Sequence, residues 1–239
     1  MNGERVETTL FLLISVDGKI TSGESDALDS DWDWKRIHGV KEGIHQYYEI
    51  EKTTDLHFMI TARIHEKLGI NQPQNHPKSD VSAVVIDRKP HLTEQGVCNY
   101  LHHKNVYIVT NNREHPAFRV QAPNLHVIFY PGEIDFADLF TRLRRDHVVE
   151  RITIQSGGML NSVLLRQGLI DHVSVVVAPL LVGGQMTPSL IDGVSAQVEA
   201  DLVNLKALKL TQCKVLEDSY LHLEYDVVNE THVDSKELG

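Results

Sequence analysis

Basic charge, cysteine and long apolar runs are all scarce in this chain of 239 residues. Lysine and arginine total 23 against 33 acids, a formal charge of −10 with the histidines neutral. The only basic run, at 142–145, is interrupted by Leu143 and lies in a stretch that also carries acids. This pattern argues against a nucleic-acid-binding face, while leaving room for one local positive pocket. Cys98 and Cys213 lack the spacing of a zinc or redox motif, and so low a count suits a reducing cytoplasm. No apolar run reaches the length of a membrane span, and residues 1–9 are polar and acidic, unlike a signal peptide. The 14 histidines include no HExxH, and His102 and His103 are adjacent rather than four apart, so no metal site is expected. With no Pro/Gly/Ser-rich linker, residues 1–228 read as one domain and 229–239 as a polar, frayed tail.

What is present centres on residues 150–184. Residues 151–155 read as a short buried strand, Ser156-Gly157-Gly158 as a sharp turn, and 159–167 as a helix with Leu160, Val163 and Leu164 at helical spacing. Gly168 is a stop signal, and 172–178 returns as a valine-rich strand. Strand, helix and strand in this order predict a βαβ crossover in a parallel sheet. Gly157 and Gly158 let backbone approach a ligand without a Cβ in the way. The helix start offers unpaired N–H groups and the positive end of a dipole, and its first turn, 158–161, holds no carboxylate to repel an anion. A simple tight turn explains the two glycines equally well.

Residues 6–15 predict a nearly continuous apolar strand, the kind covered on both faces. It ends in Val16-Asp17-Gly18-Lys19-Ile20, a turn signal in which Asp17 either caps the turn or faces a ligand at the strand's carboxyl end. Residues 21–34, acidic and broken by Trp32 and Trp34, read as a surface loop. Residues 43–54 read as a helix with Ile44, Tyr47, Tyr48 and Glu51 along one side. A strand at 56–60 leads to Thr61, the expected cap of a helix ending near Gly69, with Arg63 in its first turn. A cation there opposes the dipole unless an anion binds or a surface carboxylate pairs with it. Strands follow at 81–86, 105–110 and 125–130. Thr93 caps a helix running to His103, and Phe136, Leu139, Phe140 and Leu143 give the 135–145 helix its core face. Residues 193–204 fit no single element. Residues 205–215 and 220–228 form two strands about a tight turn, hence an antiparallel pair on a mixed sheet.

Ser15-Val16-Asp17-Gly18-Lys19-Ile20 resembles the SLDGKIA segment of the C-terminal reductase domain of bacterial riboflavin biosynthesis enzymes. The run from Ser156-Gly157-Gly158 to Gly168-Leu169-Ile170-Asp171 resembles its EGG…GLIDE segment. The run from Ala178-Pro179-Leu180 to Gly183-Gly184 resembles its APLLLGG segment. The likeness runs from about Thr8 to Val228, in family order. It implies an α/β three-layer αβα sandwich of the dihydrofolate reductase-like superfamily, with a mixed, mostly parallel central sheet. It also implies NADPH as cofactor, a small heterocyclic substrate such as a phosphorylated ribosylaminopyrimidine, and a homodimer. By position, Ser156, Gly157, Gly158, Met159 and Leu160 would hold the cofactor pyrophosphate. Thr61, Ala62 and Arg63 would meet the 2′-phosphate, while Asp87 and Arg88 lie near the adenosine. Val16 would lie beside the nicotinamide. Asp17, Gly18, Lys19, Gly183 and Gly184 would adjoin the substrate. Asp17 is the nominated acid, its pKa raised in an apolar cleft, with water the alternative proton source. Ser156 and His172 replace family acids, and Ala62 replaces a glycine. These departures keep open a catalytically silent nucleotide-binding protein of the same fold, or a pterin or dihydrofolate-type reductase.

Overall fold

The computed structural model describes residues 4–234, so the last residues of the predicted tail lie outside the described part. In chain order the elements are β1 (Glu7–Ser15), α1 (Ser30–Asp33), α2 (His45–Glu51), β2 (His57–Thr61), α3 (Ala62–Lys67), β3 (Ser82–Ile86) and α4 (Glu94–Tyr100). They continue as β4 (Val106–Thr110), β5 (Leu125–Phe129), α5 (Phe136–His147), β6 (Arg151–Ile154), α6 (Gly158–Arg166), β7 (His172–Ala178), β8 (Ala207–Val215) and β9 (Leu221–Val228). The chain has an α/β fold with a mixed, mostly parallel central sheet and flanking helices. It divides into two compact units, one built from the residues up to Glu7 and Thr53–Ser156, the other from Thr8–Lys52 and the residues from Gly157 onward. Each unit draws on two separated stretches, which is why no linker composition marks a boundary.

In the first unit the strand order is β5-β4-β3-β2-β6, and every pairing is parallel. β3 and β4 are buried along their whole length, as their valine- and isoleucine-rich sequences suit. Ile60, Ala62, Val85, Leu92, Val97, Tyr100 and Ile108 form one apolar cluster there. α5 turns Phe136, Leu139, Phe140 and Leu143 inward, as its spacing predicts, and Asp135 caps it by accepting from the Asp138 N–H at 3.0 Å. Thr93 caps α4 through the Gly96 N–H. The expected cap at Thr61 is not made, because its side chain bonds no N–H of α3.

The second unit pairs β1 with β7 in parallel, then β7 with β9 and β9 with β8 antiparallel. The C-terminal hairpin is therefore as predicted, while β7 finds its partners in β1 and β9. The 21–34 stretch is less loop-like than its composition suggests. Asp29 accepts from the Asp31 N–H at 2.8 Å and starts α1, and the Tyr48 hydroxyl donates to Asp31. Trp34 is fully buried among Phe11, Leu13, Ile44, Tyr47 and Val176, whereas Trp32 is exposed. Tyr47 stacks on Phe11 with ring centroids 5.1 Å apart.

Candidate functional site

The first unit contains a topological switch. From β2 the chain steps outward through β3 and β4 to β5, then returns to place β6 on the other side of β2. Ligands of open α/β sheets bind outside the carboxyl ends of strands at such a point, where the connections diverge. Thr61, Ala62 and Arg63 leave β2 there, and Gln155 and Ser156 leave β6. The Gln155 N–H donates to the Met59 carbonyl at 2.9 Å, holding the two strand ends level. Ala62 is buried in the core, and Arg63 is exposed. Ser156 is 1% exposed.

The carboxyl ends of β3 and β4, the next strands in the order, carry Arg88 and Lys89, and Arg113, all exposed. A protein of net charge −10 thus places four cations, with Arg63, along the ends of three adjacent parallel strands. The carboxylate of Asp87 does not face outward with them. It is fully buried and accepts from the His91 and Leu92 N–H groups at 3.0–3.1 Å and from His115 Nε2 at 2.9 Å. His115 Nδ1 accepts from the Ala117 N–H at 3.0 Å, so the ring proton sits on Nε2, toward Asp87. Asp87, expected near the adenosine, thus has its carboxylate turned to the loop and to His115. A buried carboxylate needs donors, and here the loop backbone and a buried histidine supply them. Asp87 shapes the turn that presents Arg88 and Lys89.

In the second unit, β1 ends in a closed turn. The Ser15 N–H donates to the Lys19 carbonyl at 2.8 Å, and the Lys19 N–H to Ser15 Oγ at 2.8 Å. Ser15 Oγ donates in turn to Asp17 Oδ1 at 2.6 Å. Asp17 reaches across to the loop after β7, accepting from the Val182 N–H at 3.1 Å and the Gly183 N–H at 2.6 Å. Val16, largely exposed, donates its N–H to the Leu180 carbonyl. Gly184 sits at φ +81°, where a Cβ would lie 2.3 Å from Thr187 Oγ1, so both conformation and space demand glycine. The Ser15 hydroxyl, then the Val182 and Gly183 N–H groups, lower the pKa of Asp17 to about 2. The expectation of an apolar cleft raising it is overturned, because the side chain is exposed and ringed by donors. Asp17 is a carboxylate at neutral pH and ties two loops together.

Lys19 is likewise engaged. Its Nζ donates to the Thr187 carbonyl at 2.8 Å and to Ser189 Oγ at 3.0 Å, leaving one N–H for a ligand. The two glycines before α6 differ in what surrounds them. A Cβ on Gly157 would meet nothing within 4 Å, whereas one on Gly158 would lie 2.2 Å from the Ser189 carbonyl and 2.4 Å from Asp192 Oδ2. Gly158 therefore makes room for the chain itself, and Gly157 has the open face. The first turn of α6 has no carboxylate of its own, as the sequence shows, but Asp192 brings one beside it from a distant segment. Met159 is exposed and Leu160 half-buried. The sequence reads 187–191 as the start of a small helix or a loop; it is a loop, and its contacts lie with residues far along the chain.

Buried parallel strands with flanking helices define an α/β fold of the open-sheet class. The chain belongs to the RibD C-terminal domain family, whose pattern matches residues 7–219. It is 38% identical over 71 residues to the 2,5-diamino-6-ribosylamino-4(3H)-pyrimidinone 5′-phosphate reductase of Methanothermobacter thermautotrophicus, a match covering 29% of this chain and 33% of that protein. Among solved structures it resembles Acinetobacter baumannii RibD, with a TM-score of 0.62 at 18% identity, covering 94% of this chain and 58% of that one. A pyrimidine reductase-like protein from Corynebacterium diphtheriae gives 0.61 at 13% identity, with 95% and 93% covered. No helix among the described residues is long and apolar enough to cross a membrane, and these residues contain no cluster of three metal-ligating side chains.

Proposed function

We propose that the chain is an NADPH-dependent reductase of a small heterocyclic substrate, of the kind exemplified by 5-amino-6-(5-phosphoribosylamino)uracil reductase. The observation that carries this reading is the row of Arg63, Arg88, Lys89 and Arg113 along adjacent strand ends of an otherwise acidic protein. Arginine binds phosphate bidentately, so Arg63 with Arg88 suits the 2′-phosphate that separates NADPH from NADH. Thr61 and Ala62 offer backbone beside it. Gly157, with its open face, and Ser156, Gly158, Met159 and Leu160 form the start of α6, whose N–H groups suit the pyrophosphate. The similarity to a pyrimidinone phosphate reductase supports the pyrimidine substrate class.

NADPH supplies a hydride when bound, and the protein supplies position and electrostatics. Val16, Gly18, Gly183 and Gly184 line the Asp17 turn with backbone and little side-chain bulk. Lys19 offers its remaining N–H to an oxygen of the substrate. Asp17 keeps the 182–183 loop in place and stays ionised, so water delivers the proton to the reduced centre. The same ionised state favours a second reading, a nucleotide-binding protein that turns nothing over. Mixing purified chain and NADPH with ribosylaminopyrimidine phosphates, pterins and dihydrofolate distinguishes the two. Substrate-dependent loss of reduced-cofactor absorbance supports the reductase; tight NADPH binding with no loss across the panel supports the silent binder.

The proposed homodimer draws support from β8, exposed along all nine residues, with Leu208, Leu210 and Val215 outward on an edge strand. Sedimentation of the wild type and of Leu210→Lys tests it; a wild-type monomer at micromolar concentration refutes it. A reducing cytoplasm remains the proposed location.

A further inference from the structure

Residues 187–193 form no helix or strand, yet they tie two parts of the second unit together. On one side this strap meets the Asp17 turn. The Leu190 N–H donates to the Gly18 carbonyl at 3.0 Å, the Ile20 N–H donates to the Pro188 carbonyl at 3.1 Å, and Lys19 bridges Ser189. On the other side it lies on the first turns of α6. Asn161, fully buried, donates from Nδ2 to the Leu190 carbonyl at 2.9 Å, and the Asp192 N–H donates to the Gly158 carbonyl at 3.0 Å. Asp192 Oδ1 accepts from the Ser189 N–H at 3.1 Å, and Ser189 Oγ accepts from Lys19 Nζ. Asp192 thus fixes the residue that fixes Lys19.

We propose that Asn161 and Asp192 are positioning residues, acting through this strap to set where the Lys19 ammonium stands. The two act differently. Asn161 holds the strap by a buried amide, whose removal leaves the Leu190 carbonyl without that donor. Asp192 holds it by accepting from Ser189, and it also places a negative charge beside Gly158 at the positive end of α6. A phosphate arriving at that end meets this charge, so the residue that steadies Lys19 also weakens anion binding at the helix start. The second consequence rests on the NADPH reading above; the first does not.

Amide hydrogen exchange on the unliganded protein tests the positioning role. Asp192→Ala and Asn161→Ala are expected to speed exchange at the Leu190 and Ile20 amides about 10-fold or more, while the Gly183 amide, held by Asp17, changes less than about twofold. Asp192→Asn keeps an acceptor for Ser189 and is expected to restore Ile20 protection. Loosening at Leu190 without Ile20, or a uniform rise across the unit, overturns the proposal. Titration with NADPH tests the charge. Asp192→Asn is expected to bind about twofold to fivefold tighter than the wild type, a direction that loss of structure does not produce. Unchanged or weaker binding overturns the charge assignment. A wild type that binds no NADPH overturns the cofactor reading and leaves the exchange result to decide the positioning role.

Discussion

Replacing Gly158 with alanine separates a glycine kept for the protein's own packing from one kept for a ligand. The new Cβ would stand 2.2 Å from the Ser189 carbonyl oxygen and 2.4 Å from Asp192 Oδ2, and the first of these is backbone that cannot swing aside. Overpacking of this kind costs about 1–3 kcal/mol. Moving the strap also strains the hydrogen bonds from Asp192 N–H and Asn161 Nδ2, worth about 1 kcal/mol each. Alanine's better helix propensity returns about 1 kcal/mol. The clash wins, and Gly158→Ala should lose about 2–4 kcal/mol in urea unfolding. Gly157→Ala is the control. It meets nothing within 4 Å and φ is −73°, so stability should stay within about 1 kcal/mol while NADPH affinity falls. Equal stability of the two variants would refute the division of labour between these neighbours.

Asp87→Ala strips the acceptor from the His91 and Leu92 N–H groups and from buried His115, and should cost about 3–5 kcal/mol by urea unfolding; a loss under about 1 kcal/mol would show that the pair is not structural. Asp17, lowered to about 2, contributes stability that is full above its unfolded value and is lost as pH falls through about 2. Carboxyl-carbon NMR should find its midpoint there, and a midpoint at or above about 4 contradicts the clamp. Its pKa also leaves no acid limb from Asp17 in a pH–rate profile between about pH 5 and 8. His103 runs the other way. Desolvation first, then His102, lowers its pKa to about 4, so the folded state resists its protonation. Stability is full above the unfolded value near 6.5 and falls as pH drops from there toward about 4. Urea unfolding at stepped pH should show a shallower slope for His103→Gln than for the wild type, and parallel slopes would contradict the assignment.

Much of the fold was legible in the sequence. The strands of both units are unbroken apolar or alternating runs, and α5 carries a clear helical period, so local pattern and burial agree. α1 was not legible, because its stretch is acidic and it is held by Asp29 and by the distant Tyr48. Where the candidate residues fall on the fold was legible, and the contacts of their side chains less so. Glycines, the Asp17 turn and the arginines after strands mark where strand ends lie. Which way a carboxylate faces depends on donors elsewhere in the chain: Val182 and Gly183 for Asp17, and His115 for Asp87. The 187–193 strap has no periodicity to read, since its hydrogen bonds run to α6 and to a turn some 170 positions earlier.

The reductase account stands most directly on how the protein distinguishes two nicotinamide cofactors. Calorimetric titration of the wild type and of Arg63→Ala with NADPH and with NADH measures it. The account predicts tighter binding of NADPH by the wild type, and an about 10-fold or greater loss on removing the arginine that is confined to NADPH. Equal losses for both cofactors, or no binding of NADPH by the wild type, would contradict it.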